Sequence, residues 1–110
     1  MAQPVDVGAE DFPREVLECS DMPVLVDFWS ETCGHCMALN PHYDQAAGAM
    51  EGRVRFVKVS FQQAKELFTE HGVRATPTLV LFRDGVEVAR KVGAMPADDL
   101  IAWLEEQLQQ

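Results

Sequence analysis

Apolar residues along this chain form short continuous runs that alternate with helical stripes. Runs that are apolar throughout, or at every second position, predict strands of a central sheet. Apolar positions that recur every three or four residues predict helices packed on that sheet. We expect strands near residues 4–7 and over residues 24–29, 53–61, 78–82 and 86–92, and helices over about residues 11–19, 33–50, 63–71 and 97–108.

Glycine positions support this division. Gly72 follows the third predicted helix, at a position that tolerates left-handed backbone. Asp84-Gly85 is a signal for a tight hairpin between the last two strands. The order β-α-β-α-β-α-β-β-α predicts an α/β fold with a mixed sheet and helices on both faces. No linker, repeat or low-complexity tract interrupts it, so residues 1–110 are expected to form one domain.

Composition excludes several classes of function. The 110 residues carry a formal net charge of -9, which argues against binding to nucleic acid or anionic membranes. No apolar run is long enough to span a membrane, and the first residues lack a basic, hydrophobic leader. The 3 cysteines are too few for a disulfide scaffold. We therefore expect a cytoplasmic protein with one working cysteine pair and Cys19 as a spare thiol.

The sequence Cys33-Gly34-His35-Cys36 carries the clearest chemical signal. Its two thiols can close a disulfide across one helical turn, and the first lies where a buried strand gives way to a helix. A helix N-terminus stabilises a thiolate, and Cys-x-x-Cys beside a βαβ pattern is typical of dithiol oxidoreductases. We predict that Cys33 is the nucleophile and Cys36 the resolving thiol. Two ordinary helical cysteines are the weaker interpretation.

A structural zinc site is another interpretation of the pair. Cys-x-x-Cys supplies half of such a site, and His35 and His42 lie close to it in sequence. The other half is missing, because Cys19 and His71 are expected on different helices and no second Cys-x-x-Cys occurs. We therefore expect no dedicated metal site and no bound cofactor.

Three ionisable side chains are candidates for controlling charge at the pair. Asp27 falls in the apolar run of a central strand, where burial should raise its pKa and let it deprotonate Cys36. The alternative is a solvent-facing aspartate at the strand end. Lys58 is either its charge partner or a solvated lysine. His35 is either a solvent-facing spacer or a group that stabilises the Cys33 thiolate, and we favour the second.

Three segments together resemble the thioredoxin family over essentially the whole chain. Residues 24–36 (V-L-V-D-F-W-S-E-T-C-G-H-C) are similar to the family's strand and active-site segment. Thr76-Pro77-Thr78 is similar to its cis-proline turn, and residues 83–94 to its hairpin ending in Val-Gly-Ala. The resemblance implies a thioredoxin fold, in which four helices flank a central mixed five-stranded sheet. It also implies electron transport from an NADPH-dependent thioredoxin reductase to protein disulfides, in cell redox homeostasis.

The resemblance further implies a surface that meets the substrate. In the family the cis-proline turn lies against the active site and offers backbone to an extended peptide, which assigns Thr76 and Pro77 here. The protein is expected to be a monomer whose partners are disulfide substrates and the reductase. The residues carried over to the apolar groove are Thr32, Phe61, Ala75, Val92, Gly93 and Ala94.

Two departures from the family pattern bear on the direction of the reaction. Family members usually carry Trp before the first cysteine and Pro before the second, where this chain has Thr32 and His35. The Gly-His dipeptide is similar to protein disulfide isomerase domains, so an oxidase or isomerase with a more oxidising potential is one alternative. A non-catalytic binding subunit that uses the apolar groove is another. Phe61-Gln62 replaces an aliphatic residue followed by Asp, which predicts an altered groove.

Overall fold

Within residues 2–109, five strands and four helices follow one another in the predicted order. The structure is a computed structural model, and it describes residues 2–109; the predicted domain limits Met1 and Gln110 lie outside the described residues. None of the helices in that range is long and apolar enough to cross a membrane. The strands are β1 (Val5–Asp6), β2 (Val24–Trp29), β3 (Arg55–Ser60), β4 (Thr78–Arg83) and β5 (Val86–Val92), and the helices are α1 (Pro13–Leu17), α2 (Gly34–Ala49), α3 (Lys65–Glu70) and α4 (Ala97–Leu108).

The strands form one mixed sheet in the order β1-β3-β2-β4-β5. Strand β3 is parallel to β1 and β2, whereas β4 is antiparallel to β2 and β5. At the centre of the sheet, Asp27 of β2 lies between Lys58 of β3 and Leu79 of β4. The expected α/β fold, a central mixed five-stranded sheet flanked by four helices, is confirmed.

Each face of the sheet is covered by two helices. On one face, Phe12, Val16 and Phe68 pack α1 and α3 against the strands. On the other face, Leu39 and Leu104 belong to the apolar cluster that packs α2 and α4. Because side chains along a strand alternate between the two faces, each central strand contributes to both clusters. The sheet is therefore buried on both sides at its centre.

Tyr43 fixes α2 across the two central parallel strands. Its hydroxyl lies 3.0 Å from the carbonyl oxygen of Leu25 and 2.8 Å from that of Val57, and can donate to either. Its ring centroid lies 4.9 Å from that of Phe56. A buried hydroxyl without a partner is costly, so this contact restricts where the helix lies. The position of the first turn of α2 relative to β2 is restricted with it.

The first helix is shorter than predicted, and it is a π-helix. It was expected over residues 11–19, but it spans Pro13–Leu17 and is π-helical, with the Glu18 N–H donating to the Pro13 carbonyl at 2.9 Å. Its C-terminal end packs tightly against the β4–β5 hairpin. A Cβ atom at Gly85 would lie 2.5 Å from the Leu17 carbonyl oxygen. This close approach of two backbones, which the local sequence does not encode, accompanies the early end of the helix.

Candidate redox site

Cys33 and Cys36 are joined by a disulfide at the start of α2. Cys33 is the N-cap residue, with extended backbone at φ -101° and ψ 113°, and its Sγ accepts a hydrogen bond from the Cys36 N–H at 3.1 Å. The first N–H groups of a helix have no intrahelical partner, and the helix dipole favours negative charge there. After reduction of the disulfide, this donor and the dipole stabilise a thiolate at Cys33.

The two sulfur-bearing residues differ in their access to solvent. Cys33 is partly exposed, whereas Cys36 is 0% exposed and lies on the face of α2 that packs on the sheet. A disulfide in another protein can therefore approach Cys33 more readily than Cys36. The pair combines one accessible sulfur with one that is enclosed by the protein.

The loop before β4 lies against the accessible cysteine. The Thr76–Pro77 peptide bond is cis, as the sequence predicts. The carbonyl oxygen of Thr76 lies 3.4 Å from Cys33 Sγ. On the other side of this loop, the Gly93 N–H donates to the Pro77 carbonyl at 2.8 Å. Segments far apart in the sequence thus meet beside the disulfide.

Apolar side chains are exposed around this meeting point. Phe61 is 38% exposed and Val92 is 63% exposed. The Phe61 ring packs edge-on against Phe68, with centroids 5.2 Å apart. A pocket of about 220 Å³ opens beside Phe61. It is lined by Ser30, Phe61, Phe68, Val73, Arg74, Ala75 and Thr76.

Most of the remaining predicted site residues are exposed to solvent, whereas Pro77 is buried. Thr32, Gly34, His35 and Ala94 are exposed, and Gly93 is half-buried. The hydrogen bond that the structure describes at Cys33 Sγ comes from a backbone N–H and not from the His35 ring. The influence of His35 on the thiolate therefore stays a prediction.

Asp27 is enclosed by the fold. The residue is 0% exposed, and neither of its carboxylate oxygens has a hydrogen-bond partner within residues 2–109. It shares a sheet face with Leu25, which packs under α2. Burial raises the pKa of Asp27 from 3.8 to about 7, and the positive charge of Lys58 opposes part of that rise. A carboxyl group with a pKa near neutrality can accept and return a proton at physiological pH.

Lys58 acts on Asp27 across space and not through a contact. Its Nζ donates to Asn40 Oδ1 at 2.9 Å and lies 4.9 Å from the ring centroid of Trp29. The part of the chain that the structure describes contains no hydrogen bond between the Lys58 ammonium and the Asp27 carboxylate. The ammonium is nevertheless near enough for its charge to stabilise the carboxylate.

Comparison with known proteins identifies the family. A family model described as thioredoxin matches residues 3–106. The chain belongs to the thioredoxin family. It is 39% identical over 108 residues to thioredoxin 1 of Nostoc sp., covering 98% of this chain and 100% of that protein. It is 39% identical over 101 residues to the thioredoxin of Pseudomonas aeruginosa (92% and 93% covered) and 36% identical over 103 residues to that of Rickettsia felis (94% and 97% covered).

Family membership establishes the class of reaction. This member of the thioredoxin family is a thiol–disulfide oxidoreductase whose redox pair is Cys33 and Cys36. It is an enzyme with protein-disulfide reductase activity, and its fold is the thioredoxin fold. The resemblance that the sequence motifs indicated is therefore confirmed.

Sequence reasoning missed a polar network that holds the loop before the redox pair of this thioredoxin-family protein. The Gln62 amide oxygen accepts from the Glu31 N–H at 3.1 Å, and its Nε2 donates to Ser30 Oγ at 3.2 Å. Ser30 Oγ lies 3.2 Å from Thr32 Oγ1. The available signal was that polar residues follow the carboxyl ends of two neighbouring parallel strands. Asn40 was also missed, because nothing in the helix sequence indicates its contact with β3.

Proposed function

We propose that Cys33 attacks a disulfide in another protein and that Cys36 resolves the mixed disulfide that results. In the first step, the Cys33 thiolate forms a bond to one substrate sulfur, and the other substrate sulfur leaves as a thiolate. In the second step, the Cys36 thiolate attacks Cys33 Sγ. This closes the Cys33–Cys36 disulfide and releases the second substrate thiolate. Two electrons pass from the protein to its substrate.

The difference in exposure between the two cysteines carries this assignment. An attacking thiol must reach the substrate, and Cys33 is the partly exposed member of the pair. Its Sγ also accepts a hydrogen bond from the Cys36 N–H at 3.1 Å, and Cys33 is the N-cap residue of α2. Both features favour the thiolate form of Cys33. Cys36, at 0% exposed, is suited to attack within the molecule once Cys33 carries the substrate.

Asp27 is proposed to take the proton of Cys36 before the second step. Its pKa of about 7 makes it a base of suitable strength near neutral pH. Its place under α2, on the sheet face that Leu25 shares, supports a proton path to the buried thiol. Lys58 is proposed to tune this base through its charge, and His35 to stabilise the Cys33 thiolate.

The substrate is proposed to bind as an extended peptide along the cis-proline loop. The Thr76 carbonyl, 3.4 Å from Cys33 Sγ, is available beside the sulfur. Ala75, Gly93 and Ala94 are proposed to contribute to the surface around it, together with Thr32, Phe61 and Val92, while the buried Pro77 fixes the turn of the loop beneath it.

Net reduction in a cytoplasm requires a source of electrons. We assign this to an NADPH-dependent thioredoxin reductase that returns the Cys33–Cys36 disulfide to the dithiol. The protein is proposed to work as a monomer, since one chain supplies both thiols and the groove. Thioredoxin-family membership supports disulfide substrates and a reductase in general terms.

Trapping with single-cysteine variants tests the two roles. In a Cys19→Ser background, Cys36→Ser should accumulate mixed disulfides with cell proteins, because the second step is blocked. Cys33→Ser in the same background is the matched control and should trap none. Trapping by Cys33→Ser alone would reverse the assignment. Replacing both Cys33 and Cys36 distinguishes the reductase from a non-catalytic binding subunit. A reductase then loses its activity, whereas a binding subunit would keep its function.

A further inference from the structure

Asn40 lies on α2, one turn after Cys36, and its side chain contacts Lys58 of β3. Its Oδ1 accepts a hydrogen bond from Lys58 Nζ at 2.9 Å, and both side chains are half-buried. The second half of the Asn40 amide has a weak partner, since Nδ2 lies 4.0 Å from Met37 Sδ. The main contact of the Asn40 side chain is therefore with the lysine of β3.

We infer that Asn40 is a positioning residue of the redox site, which holds the Lys58 ammonium near Asp27 but out of contact with it. This inference deepens the proposed function and rests on its assignment of Asp27 as the proton acceptor for Cys36. Asn40 itself touches neither the disulfide nor the proposed substrate groove among its described contacts.

The geometry around Lys58 shows why a tether is needed. Lysine has a flexible stem and a strongly hydrated head, so an ammonium held by nothing moves to water. Here the head is held by the Asn40 oxygen and by the face of Trp29, at 4.9 Å from the ring centroid. In the parallel pairing of β2 and β3, Lys58 lies directly beside Asp27. Its charge is therefore fixed close to the carboxyl group without an ion pair.

Two carboxylates that could attract the Lys58 ammonium, if Asn40 did not hold it, are exposed to solvent. Asp6 of β1 is paired in register with Lys58, and Asp6, Glu31 and Lys58 line the same surface cleft of about 270 Å³. Both carboxylates are exposed. Without Asn40, water and these two negative charges draw the ammonium outward, away from the interior of the sheet.

Among the described residues that surround Asp27, Lys58 is the one cation. Lys58 faces it from β3, and apolar Leu79 faces it from β4. From α2 comes Tyr43, whose pKa burial raises well above its usual value, so the phenol is neutral near pH 7. The distance from Asp27 to the Lys58 charge therefore controls how readily the carboxyl group ionises. A nearer ammonium makes Asp27 a weaker base, and a more distant one makes it a stronger base.

An NMR titration of the Asp27 carboxyl carbon in the reduced protein tests the inference directly. The variants are Asn40→Ala, Lys58→Met and the double variant, with Gln45→Ala, an exposed residue of α2, as the matched control. Asn40→Ala is expected to fold, because alanine has the highest helix propensity. It should raise the Asp27 titration midpoint by about half a unit to one unit. An unchanged or lowered midpoint would overturn the inference.

The double variant shows whether Asn40 acts through Lys58. Asn40→Ala should add no further shift once Lys58→Met is present, since interacting sites give non-additive effects. Equal shifts with and without Lys58 would overturn the inference. Gln45→Ala should leave the midpoint unchanged.

A single-turnover assay separates this inference from the proposed function. The rate of insulin reduction by the reduced protein is measured against pH, and its midpoint in Asn40→Ala should move in the same direction as the NMR midpoint. Asp27→Asn should remove that pH dependence. If Asp27→Asn leaves the pH dependence intact while Asn40→Ala still moves the NMR midpoint, the role of Asp27 as base is wrong and the positioning by Asn40 stands.

Discussion

The carbonyl oxygen of Thr76 lies 3.4 Å from Cys33 Sγ, so a backbone acceptor and the accessible redox sulfur are neighbours. The two residues lie far apart in the sequence, Thr76 in the loop before β4 and Cys33 at the start of α2. A peptide that pairs with the Thr76 backbone would carry its own disulfide directly to Cys33.

The contribution of Asp27 to the stability of the protein should fall as the pH rises from about 4 to 7. The folded-state pKa of Asp27 is raised from 3.8 to about 7, so the folded protein binds this proton more tightly than the unfolded chain. The resulting stability is fully present below about pH 4 and is lost as the pH rises through about 7. This rise in the pKa of Asp27 corresponds to a loss of at most roughly 4 kcal/mol in the free energy of unfolding across that pH range.

Replacing this carboxyl group should remove its contribution to the pH dependence of stability. At pH 8, Asp27→Asn should be more stable than the parent by roughly 2–4 kcal/mol, and the two should converge near pH 4. Chemical denaturation of the reduced proteins at both pH values measures this. Asp44→Asn, which removes an exposed carboxylate from α2, is the control. An unchanged slope in Asp27→Asn would mean that its carboxyl group is not the source.

The reduction potential of the Cys33–Cys36 couple should depend on His35. If His35 stabilises the Cys33 thiolate, the potential lies above about -270 mV and toward about -180 mV. His35→Pro should lower the potential and raise the pKa of the Cys33 thiol together. Proline is tolerated there because the residue lies in the first turn of α2. Equilibration with glutathione measures the potential, and a value that His35→Pro leaves unchanged would contradict the prediction.

The same measurement bears on the oxidase or isomerase alternative. About 30 mV corresponds to roughly 1.4 kcal/mol for a two-electron couple. A single charge-assisted contact between His35 and the Cys33 thiolate would therefore account for much of the difference between about -270 mV and about -180 mV. We expect insulin reduction whenever a thioredoxin reductase and NADPH are supplied. A protein that oxidises dithiols readily yet reduces no insulin under these conditions would instead be an oxidase.

The reduced protein, purified without chelator, should contain well under one zinc ion per chain. Between residues 2 and 109, no group of three or more His, Cys, Asp or Glu side chains is placed to hold a metal ion. Structural zinc requires four ligands in most proteins. Atomic absorption after gel filtration measures the content, and stoichiometric zinc that survives dialysis would restore the structural-site interpretation.

The start of α4 should depend on a histidine of α2. The Ala97 N–H donates to His42 Nδ1 at 3.1 Å, and the N-cap residue Pro96 supplies no side-chain cap. Removing such a capping acceptor costs about 1 kcal/mol. His42→Ala should therefore lower the melting temperature by about 4–8 °C. Gln45→Ala is the exposed control on α2, and equal melting temperatures for both variants would exclude the capping role.

The sequence predicted the parts of the fold that local chemistry determines. The apolar run Val24–Trp29 became a strand with the predicted bounds. The glycine signals also hold, because Gly72 has a φ of 64°, and Asp84 and Gly85 have φ values of 52° and 79° at the hairpin. In each case the signal lies within a few residues and depends on backbone sterics or on burial of one strand.

What the sequence did not predict depends on where elements meet. Local periodicity predicts a helix near α1, but its π-helical turn and its end beside Gly85 depend on packing against the distant hairpin. The contact of Asn40 with Lys58 likewise exists only once α2 crosses β3. Cys19, which the sequence predicts to be a spare thiol, is free and half-buried, with Sγ 3.1 Å from Asp21 Oδ1. That polar contact was not foreseen.

The surface around Cys33 is assembled from four separate stretches of chain. The start of α2, the end of β3, the loop before β4 and the end of β5 each supply one side of it. No fragment that lacks one of these stretches contains the whole surface. Loss of activity during denaturation should therefore follow the cooperative loss of the entire sheet, which makes the reaction rate a global probe of the folded population.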